Sequence, residues 1–295
     1  MPGKELLVTS KAVKVLVFGA GGQLGTELMR LLPEAVGFSH NEVSLTDRVA
    51  VEGALRRHQP EVVFNCAAYN AVDRAESEPD IAHQVNSLGA ATAGAACREH
   101  GARFVHFSTN FVFDGSLDRP YTEADQARPL GVYGKSKLDG ERAVLTVLPE
   151  ALVIRTAAVF GDHGSAVKGG SFPERIVERA RRREVIRVVT DQRVNPTYAR
   201  DLAQAAIALA ASGMSGVVHV VAGGCCPWDE FARAALAECG LEAEVEAVTS
   251  AELAAPARRP LNGCLASVRT SALRPWREGL ADWAANRAAA GPDSP

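Results

Sequence analysis

The chain has 295 residues, 47% of them hydrophobic and 23% charged, with a net charge of −3. That is enough to bury a large core, and it excludes a disordered or fibrous protein. The charge balance carries no electrostatic footprint for nucleic acid or an anionic membrane, so neither partner is expected.

No apolar run reaches spanning length, and residues 1–12 lack the apolar core of a signal peptide, so a soluble, cytoplasmic protein is expected. The six cysteines (Cys66, Cys97, Cys225, Cys226, Cys239, Cys264) show no C-x-x-C pair and no metal-like repeat. They are expected to stay reduced as small hydrophobes, the adjacent Cys225-Cys226 in a loop before a helix, and no metal site is expected.

Taken in order, Val13 to Phe18 (VKVLVF) predicts a strand, followed at once by GAGGQLG and the helix-like TELMRLL. Strand, glycine turn and helix is the setting of a dinucleotide fingerprint. Gly19, Gly22 and Gly25, with Gly21 as an extra small residue, let a pyrophosphate approach backbone N–H groups at the helix start. The next strand, Ala35 to Ser39, ends where an NAD enzyme offers Asp or Glu to the ribose, and here Ser39 and His40 stand there. With no carboxylate to repel a 2′-phosphate, NADPH is the expected cofactor, while Glu42 nearby keeps NADH in play.

A helix is predicted near Arg48 to His58 and a buried strand over Glu61 to Cys66. That strand runs into Asn65-Cys-Ala-Ala-Tyr69, whose small residues suit passage of a nicotinamide ribose. Pro79 to His100 reads as an Ala-rich helix, with Asn86 bracing a neighbouring loop. Asp73 and Glu76 are too few for a hard-cation site and read as a solvated first helical turn.

Ala102 to Phe107 predicts a parallel strand ending at Ser108-Thr109, and an amphipathic helix starts near Gly131. In it Tyr133 and Lys137 share one face. A neighbouring ammonium favours phenolate, so Lys137 is expected to pull the Tyr133 pKa down toward the working range, with Thr109 hydrogen-bonding the same substrate oxygen.

Ala151 to Val159 supplies a further strand. The alternation from residue 13 to 160 predicts an α/β fold, a doubly wound parallel (Rossmann) sheet forming a dinucleotide-binding domain over 12–162. Residues 163–295 are expected to form mainly a smaller mixed α/β substrate-binding lobe, with parts of 185–204 returning to the sheet. That half carries a helix ending in Arg181 to Arg183, which complements the helix dipole. It also carries the strand VVHVV, a helix from Trp228 to Cys239, and a final helix around Trp276 to Ala290.

Together GAGGQLG, NCAAYNAVDRAESEP with Asn86 after it, STNFVFDG, PYTEAD, PLGVYGKSKLDGE, DQRVNPT and ARRPLN resemble an extended short-chain dehydrogenase/reductase of the dTDP-4-dehydrorhamnose reductase group. The resemblance runs from about residue 13 to 285. It implies reduction of the C4 ketone of a dTDP-4-keto-6-deoxyhexose by NADPH or NADH, with Tyr133 as proton donor, Lys137 as its activator and ribose ligand, and Thr109 as the orienting hydroxyl. By the same resemblance Gly19, Gly22, Gln23, Leu24, Gly25, Ser39, His40, Ser44 and Leu45 line the dinucleotide, with Ala67, Ala68 and Tyr69 near its nicotinamide end. Asn70, Thr109, Asn110, Ala158 and Arg259 face the dTDP-linked keto-sugar, and a homodimer is left open.

The chain departs from that pattern at Asn110-Phe111 (Asp-Tyr in the group), Ala157-Ala158 (Ser-Trp), Gly263 (Ser) and Ser44 (Asp). The trio is untouched while the pocket is altered, so a specialised deoxysugar is expected ahead of rhamnose synthesis itself. A reading of another class, a non-catalytic regulatory subunit like that of methionine adenosyltransferase, is disfavoured by retention of Thr109, Tyr133 and Lys137.

Overall fold

Short β-branched runs separated by amphipathic segments form alternating strands and helices. The computed structural model describes residues 13–162 and 170–290; the reading of residues 1–12, and the expected passage between lobes at 163, lie outside them. In chain order come β1 (Val15–Phe18), α1 (Gln23–Leu31), β2 (Val36–Phe38), α2 (Arg48–His58), β3 (Val62–Asn65), α3 (Val72–Ala75), α4 (Pro79–His83), α5 (Ala90–His100), β4 (Arg103–Thr109), α6 (Val132–Val147) and β5 (Leu152–Thr156). Helix α4 passes into α5 through a π-helical stretch, Gln84–Gly89. After β6 (Val159–Phe160) follow α7 (Phe172–Arg181), β7 (Ile186–Val189), β8 (Arg193–Val194), β9 (Thr197–Tyr198), α8 (Ala199–Ala211) and β10 (Gly216–His219). The chain continues through β11 (Ala222–Gly223), β12 (Cys226–Pro227), α9 (Trp228–Glu238), β13 (Val245–Val248), α10 (Ser250–Leu253), β14 (Leu273–Pro275) and α11 (Trp276–Ala290).

The main sheet has the order β10-β5-β4-β3-β1-β2 with every pair parallel, the doubly wound arrangement expected. Leu16, Phe18, Val51, Leu55, Phe104 and Val144 share the core on one face. Val17, Leu28, Phe64, Ile154, Leu202 and Val218 share it on the other. Strand order reverses between β1 and β3, so the crevice outside their carboxyl ends is the place for a ligand. Leu202 and Ala203, within the 185–204 stretch, and Ala206 of α8 pack on the sheet, and β10 becomes its edge in register with β5. The run VVHVV thus belongs mainly to the dinucleotide sheet.

The remaining strands pair in twos, β6 with β9, β7 with β13, β8 with β12 and β11 with β14, around an aromatic core of Phe231, Trp276 and Trp283. Here the cysteine expectation fails for one pair. Cys225 and Cys264 form a disulfide with Cα atoms 6.1 Å apart. The cause is β8: Val194 pairs with Cys226 while Arg193 bridges to Asn262, which draws the two cysteine-bearing segments together. Cys66, Cys97, Cys226 and Cys239 are free thiols. Among the described residues no helix is long and apolar enough to cross a membrane.

Candidate active site

The turn after β1 is built to be thin. Gly19 takes φ +76, and a Cβ there would lie 2.6 Å from the Ala67 nitrogen, so the loops after β1 and β3 touch backbone to backbone. Gly19 and Ala20 donate their N–H groups to Phe38 O at 2.8 and 3.0 Å, and Gly22 caps α1 without a side chain, while Gly25 is buried in its first turn. At Gly21 a Cβ would meet nothing within 4 Å. Open space beside a helix start suits a dinucleotide pyrophosphate, so these residues fit the expected cofactor. Gln23 spends its amide on backbone, donating to Val159 O at 3.0 Å and accepting from Gly161 N at 3.2 Å in its satisfied orientation. Leu24 packs against the apolar core.

Two expectations about the adenosine end change. Leu45 is only 2% exposed and its side chain packs against Gly89, so the core takes the side chain assigned to the cofactor. A carboxylate does stand at the end of β2: Ser39 donates both its N–H and its hydroxyl to Glu42, each at 2.7 Å. Its neighbour His40 is exposed, and the Ser44 hydroxyl shares a hydrogen bond with Thr46 at 2.8 Å.

Beyond β3, Ala67 donates its N–H to Asn65 Oδ1 at 3.2 Å, and Ala68 and Asn70 are partly exposed. Tyr69 donates its phenol to the Glu78 carboxylate, so that hydroxyl is already engaged. Asn86 braces this loop as expected. It accepts from Tyr69 N at 2.8 Å and donates to Tyr69 O at 2.9 Å and to the Ser136 hydroxyl at 3.0 Å. One amide ties the loop to α6.

Helix α6 is anchored from three sides. Glu76 accepts from Val132 N at 2.9 Å at its start, where the N-cap Gly131 has no side chain to do so. Asp73 takes the Arg259 guanidinium at 2.8 Å and Ala257 N at 3.1 Å. The solvated turn expected at 73–76 is therefore an anchor, and Arg259, assigned to the sugar, is held by Asp73 and Ala257 O. Deeper down, Glu141 receives Arg155 in a buried bidentate pair at 2.8 and 2.6 Å and also accepts from the Ser108 hydroxyl. Among the described residues no group of three His, Cys, Asp or Glu could hold a metal ion.

Thr109, Tyr133 and Lys137 come together at the carboxyl end of β4. Thr109 accepts from Phe111 N at 3.2 Å, and the Phe111 ring stands edge-on to Tyr133 with centroids 5.5 Å apart. Burial pushes the Tyr133 phenol up, opposed by the nearby Thr109 hydroxyl, which itself donates to Asn110 Oδ1 at 3.3 Å. The lowering expected from Lys137 is absent in this state. Its Nζ is drawn to the strand end, donating to Phe107 O at 2.6 Å and lying 3.4 Å from His106 Nε2. Burial lowers the Lys137 pKa to about 8, opposed by Glu141 and Cys66. His106 is held well below its ordinary value, first by burial and then by Lys137.

Of the sugar-side residues, Asn110 is turned inward. It is 2% exposed and donates to Gly263 O at 3.0 Å, because the 3₁₀ turn Asn110–Val112 aims its amide at the 259–264 loop. It does not offer that group to a ligand. Ala158 is partly exposed and holds φ +42, a left-handed backbone at the end of β5. Asn65, Glu76, His106, Glu141 and Arg155 were missed as site-building residues. For Asn65, His106 and Arg155 the signal was a polar residue inside an apolar strand run, as in EVVFNC, FVHFST and LVIRT; Glu76 and Glu141, after α3 and within α6, carried no such signal.

A family model, the RmlD substrate binding domain, matches residues 13–288. The chain is 38% identical over 251 residues to a dTDP-4-keto-6-deoxy-D-glucose reductase of Streptomyces niveus, covering 83% of this chain and 85% of that one. It is 38% identical over 289 residues to a dTDP-4-dehydrorhamnose reductase of Mycobacterium tuberculosis, covering 93% of each. A crystal structure of dTDP-4-dehydrorhamnose reductase from Bacillus anthracis, in complex with NADP, superposes with a TM-score of 0.89 at 30% identity, covering 94% of this chain and all of that one.

Proposed function

The chain belongs to the RmlD substrate-binding family, and from that premise we propose that it reduces the C4 ketone of a dTDP-4-keto-6-deoxyhexose to the alcohol, with NADPH. The observation that carries the reading is the cluster at the carboxyl end of β4: Thr109 ends that strand, and Tyr133 and Lys137 lie one turn apart on α6, with Lys137 Nζ donating to Phe107 O at 2.6 Å. The nicotinamide supplies the reducing equivalent when bound. The chain's own residues do the rest. Thr109 orients the carbonyl oxygen, and Tyr133 gives it a proton as negative charge develops there. Lys137 becomes the cation beside the phenol and the ribose ligand once it leaves Phe107 O. Asn86 and the Glu141–Arg155 pair keep the α6 backbone in place, so only the Lys137 side chain has to move.

The sugar is a specialised deoxysugar more readily than the rhamnose precursor. The support is Ala158, a small residue at the position where the group carries an indole wall. Asn110 no longer contributes to that argument, because its amide is committed to Gly263. The test is a panel of dTDP-4-keto-6-deoxyhexoses scored by NADPH absorbance, with product NMR. Failure to oxidise NADPH with any of them would sink the reductase reading and revive the regulatory one.

A further inference from the structure

Lys137 sits in a pocket whose hydrogen bonds can be counted. From the loop after β3 it is faced by Cys66, from β4 by His106 and the Phe107 carbonyl, and from its own helix by Glu141, whose carboxylate is already paired with Arg155 of β5. Tyr133 lies one turn earlier on α6. His106 is fully buried, its ring parallel to Phe104 and its Nδ1 lying 3.1 Å from Asn65 Nδ2.

The Asn65 amide has a fixed orientation, since its oxygen accepts the Ala67 N–H at 3.2 Å. Its nitrogen therefore donates to His106 Nδ1, which must be bare. A neutral imidazole then carries its proton on Nε2, the atom 3.4 Å from Lys137 Nζ. Two donors facing each other are unfavourable in a buried site. An amine, by contrast, accepts from Nε2–H with its lone pair and still donates one N–H to Phe107 O.

We propose that His106 is a positioning residue for Lys137: fixed by Asn65 as the Nε2–H tautomer, it favours the neutral amine of Lys137 over the ammonium in the ligand-free protein. Seating a nicotinamide ribose then requires Lys137 to leave His106 and take up a proton from solvent. The direction of the Lys137 shift, lowered by burial, agrees with this accounting. The role assigned to the ribose rests on the reductase reading; the tautomer and the amine do not.

The experiment uses full-length, ligand-free protein labelled at histidine ring nitrogens and lysine Cε, followed by NMR across pH. The expected result is a bare, hydrogen-bonded Nδ1 and a protonated Nε2 on His106 above the Lys137 midpoint, with the His106 nitrogens responding at that same midpoint. His106→Phe removes the facing donor and keeps the packing, and it should raise the Lys137 midpoint by about one unit. NADPH binding measured by calorimetry above that midpoint, in buffers of different ionisation enthalpy, should show net proton uptake. An Nδ1–H tautomer above the Lys137 midpoint in the unaltered protein overturns the proposal even if the variant does not fold. So does an unchanged or lower Lys137 midpoint in a folded His106→Phe, or NADPH binding without proton uptake. None of these depends on turnover, so they fail separately from the assigned reaction.

Discussion

Asn110 and Gly263 occupy one space: Asn110 Nδ2 donates to Gly263 O at 3.0 Å, and a Cβ on residue 263 would lie 2.4 Å from that nitrogen. The two departures from the group's pattern are thus physically coupled. Gly263→Ser should destabilise by about 1–3 kcal/mol through overpacking. Adding Asn110→Ala should recover part of that loss, a non-additive cycle readable by urea unfolding. Simple additivity would show that the contact does not govern residue 263.

Cofactor choice turns on Glu42. Its carboxylate stands on Ser39 at the end of β2, where a 2′-phosphate would approach. Glu42→Gln should raise the NADPH-to-NADH ratio of kcat/KM several-fold, and Ser39→Asp should lower it. An unchanged ratio in both variants would place the phosphate elsewhere.

Removing the phenol tests the proton donor. Tyr133→Phe should lower kcat by about 10²–10⁴ and leave NADPH affinity largely unchanged. Near-normal turnover would mean the proton comes from another group.

Ala158 carries both strain and specificity. A left-handed alanine costs roughly 1 kcal/mol over glycine, so Ala158→Gly should stabilise by about that amount. Ala158→Trp should shift turnover toward dTDP-4-dehydrorhamnose, while Asn110→Asp should add nothing beyond destabilisation. Equal substrate preference in Ala158→Trp and the unaltered protein would remove Ala158 from the pocket.

Lys137 makes stability depend on pH. Its folded pKa, about 8, lies below the ordinary 10.5. Between those values the unfolded chain holds a proton that the folded one does not, so this group's contribution makes the protein more stable as pH rises through the window. Below pH 8 the full cost is present. Lys137→Met should therefore stabilise ligand-free protein at neutral pH by something on the order of 3 kcal/mol, less the lost bond to Phe107 O. The gain should fade toward pH 10.5; a pH-independent effect would contradict it.

The sheet, the glycine turn and the trio were legible because each rests on local pattern: apolar strand runs, a G-x-x-G-x-x-G spacing, and a phenol and ammonium four apart on a helix. What escaped were long-range partnerships. Asp73 looked solvated because Arg259 is 186 residues away in sequence, and Cys264 looked free because only the pairing at β8 brings Cys225 to it. Asn110 looked like a sugar contact because its turn geometry depends on the room left by Gly263. The state of Lys137 was hidden for the same reason, since His106 and Asn65 lie on different strands and only their register aligns them.

The π-helical stretch Gln84–Gly89 has a consequence for engineering and for descent. A π turn is equivalent to one residue inserted into an α-helix. It lets Asn86 project sideways while α4 and α5 keep facing what they cover. Excising one residue between 84 and 89 would restore ordinary helical winding and leave α5 facing as it does, but it would withdraw the sideways projection by which Asn86 reaches the Tyr69 backbone and the Ser136 hydroxyl. The small-residue seam of Ala93, Ala96 and Cys97 would keep its place in the core, so the loss would fall on the loop after β3 and on α6. Shortening this helix therefore cannot be a neutral trim. The extra residue serves the brace alone, and a chain without it would have to hold the loop after β3 to α6 by another group.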